Sequence, residues 1–454
     1  MTEKRIHIGK NRAYYATGVT RDIDFRIDVL RRLKEAVLEY EQEISRALWK
    51  DLHKSEGESY LTEIGVVLGE IRDCIKHLHQ WSKDRKVSTP LFLFPSRSRI
   101  VYEPYGIVLI IAPWNYPFQL LLMPLIGAIA AGNGAVLKPS PYAPAVSEVI
   151  TRIVGRVFRP EYVSVFDGGE EEAEALLKER FDYIFFTGGA RFGQKVMESA
   201  AKQLIPLTLE LGGKSPCIVG ESCNIKLAVW RIAWGKFLNA GQTCVAPDYV
   251  LIPNHLKDEF IDRMKSAIFS FWGEEPQNSP DYGRIVHEAG TERLVRLMYS
   301  SGKVVCGGEY NIVDRYIAPT LLDEVKPDSS IMQEKIFGPL LPVIGYEQIE
   351  EAIEFVNNRE KPLALYYFGD KKGEKQILNS TSSGGGCIND TIIHLANSRL
   401  PFGGVGRSGM GKYHGRASFE LFSNCRTIVR SSSRMDIPLR YPPYKVKWIK
   451  KFLN

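Results

Sequence analysis

Tyr183-Ile184-Phe185-Phe186-Thr187-Gly188-Gly189-Ala190-Arg191-Phe192-Gly193 is the stretch on which the fold turns. Its apolar start reads as a buried strand. The glycines read as a tight turn, and a helix is expected from Gln194 to Lys202. Glycines let a backbone come close to a pyrophosphate, and the first turn of a helix offers it unpaired N–H groups. The spacing departs from GxGxxG, so a plain strand–helix turn is the competing reading of this segment alone.

Working outward, apolar runs alternate with helical segments. Ile107–Ile111, 135–137 and 162–166 read as strands, and 117–131, 143–157 and Glu170–Lys178 read as helices. This alternation implies right-handed crossovers and a parallel sheet. A second alternating set begins near Lys214, with strands at Pro216–Val219 and 249–252 and a helix near 259–271. Ahead of the first set, residues from about Asp22 to Lys83 read as helices, with Phe25, Val29, Leu30, Leu33 and Val37 at helical spacing for core packing.

Composition narrows the class. A chain of 454 residues can hold two or three domains, and a net charge of +6 without a basic, aromatic-laced stripe in its body argues against nucleic-acid binding. The seven cysteines are odd in number and form no CxxC pair, which argues against a metal cluster or a disulfide framework and for a reducing compartment, the cytoplasm. Met1-Thr2-Glu3-Lys4-Arg5 leads into polar sequence, so no signal peptide is expected. Residues 104–137 carry no charge, but Pro113, Pro117, Pro124 and the Gly132-Asn133-Gly134 turn break them into strand, loop, helix and strand rather than a membrane span.

Other runs carry chemistry. Lys138-Pro139-Ser140 ends a strand, where ligands collect in open sheets; an ordinary surface lysine is the alternative. In Ala112-Pro113-Trp114-Asn115-Tyr116-Pro117-Phe118 two prolines fix the backbone around Asn115, whose amide can face a developing oxyanion or simply cap the loop. Glu210 in Leu209-Glu210-Leu211-Gly212-Gly213-Lys214 is either a desolvated general base or half of a structural ion pair. Gly241-Gln242-Thr243-Cys244 presents a lone thiol among small polar neighbours. A buried cysteine is usually inert, but this context suits a nucleophile.

Taken together with Glu334-Lys335-Ile336-Phe337-Gly338-Pro339 and Pro401-Phe402-Gly403-Gly404-Val405-Gly406, these runs resemble the aldehyde dehydrogenase family from about residue 20 to about 425. The run 400–411, with Gly406-Arg407-Ser408-Gly409, resembles the class 3 branch of fatty and aromatic aldehyde dehydrogenases. The resemblance implies an α/β fold with a Rossmann-like cofactor domain (residues 1–211, including the N-terminal helices), a second α/β catalytic domain (212–415), and an oligomerisation segment with a basic tail (416–454). Residues from about 84 to 104 join the oligomerisation element. It implies NAD(P)-dependent oxidation of apolar aldehydes, medium or long-chain aliphatic or aromatic, to carboxylic acids through a thiohemiacetal and a thioester on Cys244. Asn115 and the Cys244 amide hold the oxyanion, and Glu210 activates the hydrolytic water. At the cofactor, Lys138 and Glu334 hold the two riboses, Gly188 and Gly189 face the pyrophosphate, and Phe337, Trp114 and Leu211 pack nearby. Tyr116 and Thr243, with Trp114, line the substrate tunnel. No metal is implied.

Two features depart from the pattern. Where many NAD-preferring relatives carry a glutamate three residues after the lysine, this chain has Pro141, which removes repulsion against a 2′-phosphate and opens the site to NADP as well as NAD. From Arg426 onward Asp436 is the sole acid, and Tyr441, Tyr444, Trp448, Ile449, Phe452 and Leu453 alternate with lysines. Such a tail either lies on an anionic membrane surface or, the favoured reading, is solvated or packs in a homodimer. A CoA-acylating enzyme and a non-catalytic cofactor-binding protein on the same fold are the alternatives. The combination of Cys244, Glu210 and Asn115 argues against both.

Overall fold

The apolar run at 183–186 is a buried strand, Tyr183–Thr187, inside a six-stranded sheet. The structure, a computed structural model, describes residues 8–453; the Met1-Thr2-Glu3-Lys4-Arg5 run and the side chains of Lys451, Phe452 and Leu453 lie outside the described residues. Across this sheet the order is Gly409–Met410, Leu207–Glu210, Tyr183–Thr187, Ile107–Ile111, Gly134–Lys138 and Val163–Val165. Neighbours are parallel except Gly409–Met410, which runs antiparallel to Leu207–Glu210. The central strands are buried along their whole length, as a sheet covered on both faces requires. The chain leaves Ile107–Ile111 toward one edge and returns on its other side at Tyr183–Thr187, so a crevice opens beyond the strands' C-terminal ends.

The helix after the glycine turn is Ala190–Gln203, four residues earlier than the expected start at Gln194. The Gly193 amide already donates to the Gly189 carbonyl at 3.0 Å, and Phe192 packs on Phe186 with ring centres 5.5 Å apart. Those contacts draw the turn's own residues into the first helical turn. A Cβ at Gly193 would sit 2.7 Å from the Leu211 side chain, so this glycine serves close helix–strand packing.

The second alternating set forms a seven-stranded sheet ordered Lys303–Cys306, Thr320–Asp323, Leu340–Tyr346, Tyr249–Pro253, Pro216–Val219, Ala364–Phe368 and Gly385–Ile388. Only its Lys303–Cys306 edge is antiparallel. A third, antiparallel sheet joins Arg85–Val87, Arg97–Pro104 and Ser423–Arg430. Gly409 pairs with Glu210 and Met410 with Leu209, and the helix Gly415–Leu421 packs on Gln119–Ala131. The uncharged stretch resolves into Ile107–Ile111, the helix Gln119–Ala131 and Gly134–Lys138. No described helix is long and apolar enough to cross a membrane.

The loop between Ile107–Ile111 and Gln119–Ala131 is held from behind by a buried ion pair. Lys54 Nζ lies 2.6 Å from Glu63 Oε1, and both side chains are 0% exposed. Glu63 Oε2 accepts the amides of Phe118 at 2.9 Å and Gln119 at 3.0 Å, and Lys54 donates to the Asn115 carbonyl at 2.9 Å. Lys54 also sits 3.8 Å over the Tyr116 ring. Removing one partner strands a buried charge, at a cost of about 3–5 kcal/mol. Lys54→Met is therefore expected to lower the urea midpoint by that equivalent, and Lys54→Met/Glu63→Gln to recover part of the loss. Equal midpoints for wild type and the single variant would show that the pair does not hold the loop.

Candidate active site

The C-terminal edge of the first sheet faces the loops that lead into the second, across a cavity of about 1010 Å³. Asn115, Gly188, Gly189, Glu210, Cys244 and Lys335 are among the residues that line it. The sequence spreads these residues over more than two hundred positions; the reversal in strand order gathers them.

Cys244 follows a tight turn, Leu238–Gly241, in which Asn239 (φ 53°) and Ala240 (φ 50°) adopt the left-handed region. Such backbone is costly for non-glycine residues and persists only where its surroundings fix it. They do so here. Gln242, fully buried, donates to the carbonyls of Asn239 (3.0 Å) and Arg284 (2.9 Å) and accepts the Val286 amide (3.0 Å). Gly241, at φ 75°, is pressed so close to the 338–339 backbone that a Cβ would lie 2.2 Å from the Gly338 carbonyl oxygen. Burial pushes the Cys244 thiol above its ordinary pKa; Lys335 opposes this, Glu210 adds to it, and the local amides oppose it.

Glu210 ends the strand Leu207–Glu210 and is 2% exposed. Neither carboxylate oxygen has a hydrogen-bond partner, which sets aside the ion-pair reading. Burial holds its pKa well above the usual carboxylate range, with Lys412 opposing. A carboxylate left without partners in a low-dielectric site binds a proton strongly, the property of a general base. Asn115, 2% exposed, donates its Nδ2 to the Gln242 carbonyl at 2.9 Å, which ties the Asn115 loop to the cysteine loop.

The glycine turn fits a dinucleotide's pyrophosphate. The Thr187 hydroxyl is buried without a partner, a Cβ at Gly189 would meet nothing within 4 Å, and the helix Ala190–Gln203 begins there. Leu211 lines the cavity and donates its amide to the Ser408 carbonyl at 3.1 Å. Trp114 and Phe337 also line it, edge to face with ring centres 5.3 Å apart. Lys138 is 2% exposed and donates to the carbonyls of Pro139 (2.9 Å) and Gly168 (2.5 Å); burial lowers its pKa, with Asp167 and Glu172 opposing. It is not among the cavity-lining residues, and exposed Pro141 follows it with no carboxylate.

Other expected residues sit elsewhere. Tyr116 and Thr243 share a buried hydrogen bond of 2.6 Å and lie outside the cavity lining, where they brace the loops. Glu334 is exposed and accepts from Arg293 at 3.1 Å, also off the cavity wall. The residue that faces the cavity from this segment is its neighbour, Lys335. The backbone at 334–336 is pinned by a pair the motifs hid: Lys214 donates to Asp248 (2.5 Å) and to the carbonyls of Ile331 (2.6 Å) and Glu334 (2.8 Å), and Asp248 accepts the Ile336 amide (3.2 Å). Sequence reasoning missed Asp248, Lys54 and Glu63 because a buried polar side chain has no local signature. Gln242, Lys214 and Lys335 were visible within quoted motifs, without roles.

Comparison with known proteins identifies the family. A sequence model described as "Aldehyde dehydrogenase family" matches residues 12–428. The chain is 50% identical over 448 residues to 4,4'-diaponeurosporen-aldehyde dehydrogenase of Staphylococcus aureus, covering 98% of each chain. It is 44% identical to an aldehyde dehydrogenase of Canis lupus familiaris described as dimeric and NADP-preferring, covering 97% of this chain and 98% of that one. A solved structure, the substrate-bound state of Staphylococcus aureus AldH, superposes with a TM-score of 0.97 at 49% identity and covers 98% of both chains. With a matched family model over most of its length, relatives of nearly equal extent and the same fold, the chain belongs to the aldehyde dehydrogenase family, NAD(P)-dependent oxidoreductases that act on aldehydes.

Proposed function

We propose that this chain oxidises apolar aldehydes to free carboxylic acids, with Cys244 as nucleophile, Asn115 as oxyanion donor and Glu210 as base. The observation that carries the reading is the Glu210 carboxyl, buried without a partner on the same cavity wall as the cysteine. A thiol acceptor such as CoA needs no such base, so water is the acyl acceptor.

The Cys244 thiol gives its proton to Glu210 as sulfur bonds to the aldehyde carbon, and the carbonyl electrons move onto oxygen. Asn115 Nδ2 and the Cys244 amide stabilise that charge. The oxygen pair then re-forms the C=O bond as the C–H bond breaks, leaving a thioester. A bound nicotinamide would supply the acceptor for the departing hydride. Glu210, having passed its first proton to solvent, takes one from water as the water oxygen attacks the thioester. The C–S bond breaks, the acid leaves and sulfur regains a proton. Gly188, Gly189 and Leu211 would hold a dinucleotide on its pyrophosphate side, Trp114 and Phe337 would pack near its nicotinamide, and Lys138 would reach the adenosine ribose. The position of Pro141 supports NADP use beside NAD, in line with the NADP-preferring relative.

The third sheet with its neighbours exposes Val87, Leu91, Phe92, Phe94 and Val429. A second copy covering that face makes the homodimer the preferred assembly, consistent with the dimeric relative. The basic tail then packs beside the dimer face, in a cytoplasmic protein, rather than on a membrane.

Cys244→Ala is expected to abolish aldehyde-dependent NADH or NADPH formation while leaving cofactor binding near wild type by fluorescence titration; retained turnover would remove the nucleophile assignment. Because Glu210 has a raised pKa, its base form grows as pH rises, so thioester hydrolysis should accelerate with pH through its titration. Glu210→Gln should keep a pre-steady-state burst of reduced cofactor but lose at least about tenfold in the following steady rate, with the pH dependence flattened. An undiminished steady rate at neutral pH counts against the base. Turnover of medium-chain and aromatic aldehydes is expected without CoA and with both NAD and NADP; absolute dependence on CoA would move the chain to the acylating reading.

A further inference from the structure

The lysine that replaces Glu334 at the cavity wall is held in a slot of its own. Lys335 Nζ donates to the carbonyl of Cys244 at 3.0 Å, the one hydrogen bond recorded for that ammonium among the described residues. It lies 4.9 Å over the Phe337 ring. On its other side is Gly212, where a Cβ would come within 2.6 Å of Nζ. A glycine, an aromatic face and a backbone carbonyl therefore fix the ammonium beside the cysteine. We propose that Lys335 is a positioning residue for the reaction, whose fixed positive charge stabilises the thiolate of Cys244 and whose hydrogen bond locks the cysteine loop to the 334–338 turn. This rests on the reading of Cys244 as nucleophile.

The charges around the pair agree with that role. Burial raises the Cys244 thiol, and Lys335 is the largest influence opposing it; Glu210 acts in the other direction. The phenols of Tyr116, Tyr366 and Tyr413 also feel the thiol, but burial holds them well above their ordinary range, so they stay neutral. Burial lowers Lys335 itself, Cys244 and Asp248 raise it, and Lys214 lowers it. Lys236, fully surrounded and pushed down to about 8, lies in the same field, with Asp248 supporting its charge and Lys214 and Lys335 opposing it. Asp248 thus serves as shared counter-ion for a group of lysines behind the cysteine, while Lys335 is the member that lines the cavity and reaches the Cys244 backbone.

The test is the pH profile of Cys244 alkylation by iodoacetamide in the full-length protein, read by mass spectrometry on the peptide that carries Cys244 so that the other cysteines do not contribute. Lys335→Gln keeps a donor for the Cys244 carbonyl but removes the charge; Lys335→Arg keeps the charge. The alkylation midpoint is expected to rise by about one pH unit in Lys335→Gln, which makes alkylation at pH 7 about tenfold slower, and to stay near wild type in Lys335→Arg. Lys335→Met reads the same shift should the glutamine variant not fold. Overlapping profiles for wild type and the neutral variants overturn the proposal. If alkylation of Cys244 still abolishes turnover in that case, the nucleophile reading stands and Lys335 alone loses its role. If enzyme alkylated at Cys244 keeps its turnover, the nucleophile reading fails as well.

Discussion

The Lys54–Glu63 ion pair is the contact on which the active-site geometry rests. Two opposite charges removed from water must satisfy nearly all their hydrogen-bonding capacity, or desolvation outweighs their attraction. Here that requirement becomes positional. Glu63 can be satisfied only if the amides of Phe118 and Gln119 come to it, and Lys54 only if the Asn115 carbonyl does. The helix start, the loop and the amide side chain of Asn115 are thereby set together. Asn239 adds a second donor to the same Asn115 carbonyl at 2.8 Å, so the cysteine loop is registered against the same point.

On the other side of the cavity the logic is reversed. Glu210 has no partners at all, and the cysteine is buried against its ionisation. One half of the site is over-determined by hydrogen bonds and the other is deprived of them. The roles proposed for Asn115 and Glu210 call for those opposite environments, a rigidly held donor and a carboxylate short of partners.

Much of this was legible in the chain. The alternating apolar runs gave the strand positions because parallel strands buried on both faces cannot hide their pattern. The cysteine, the carboxylate and Asn115 stood out because each sits among residues that fix the backbone: prolines, paired glycines, small polar neighbours. What could not be read was direction. Residues 334 and 335 are adjacent and both charged, and which one faces the cavity depends on Arg293 and Asp248, which lie far away in sequence. The same holds for Tyr116 and Thr243, which satisfy each other instead of lining the cavity. The helix starts at Ala190 and not at Gln194 because Gly193, expected in the phosphate-binding turn, lies in the first helical turn, where it leaves room for Leu211.

The short strand Gly409–Met410 follows the second sheet's edge strand Gly385–Ile388 in the chain and closes the edge of Leu207–Glu210, the strand that ends in the buried carboxylate. The first sheet is therefore finished by the last of its six strands to be synthesised. Until that segment docks, a nascent or truncated chain presents a bare strand edge, a template for pairing with another molecule. The two halves are not interchangeable modules that could be cut at the paired glycines and recombined. The enzyme is topologically clasped, and the buried Glu210 sits at the clasp.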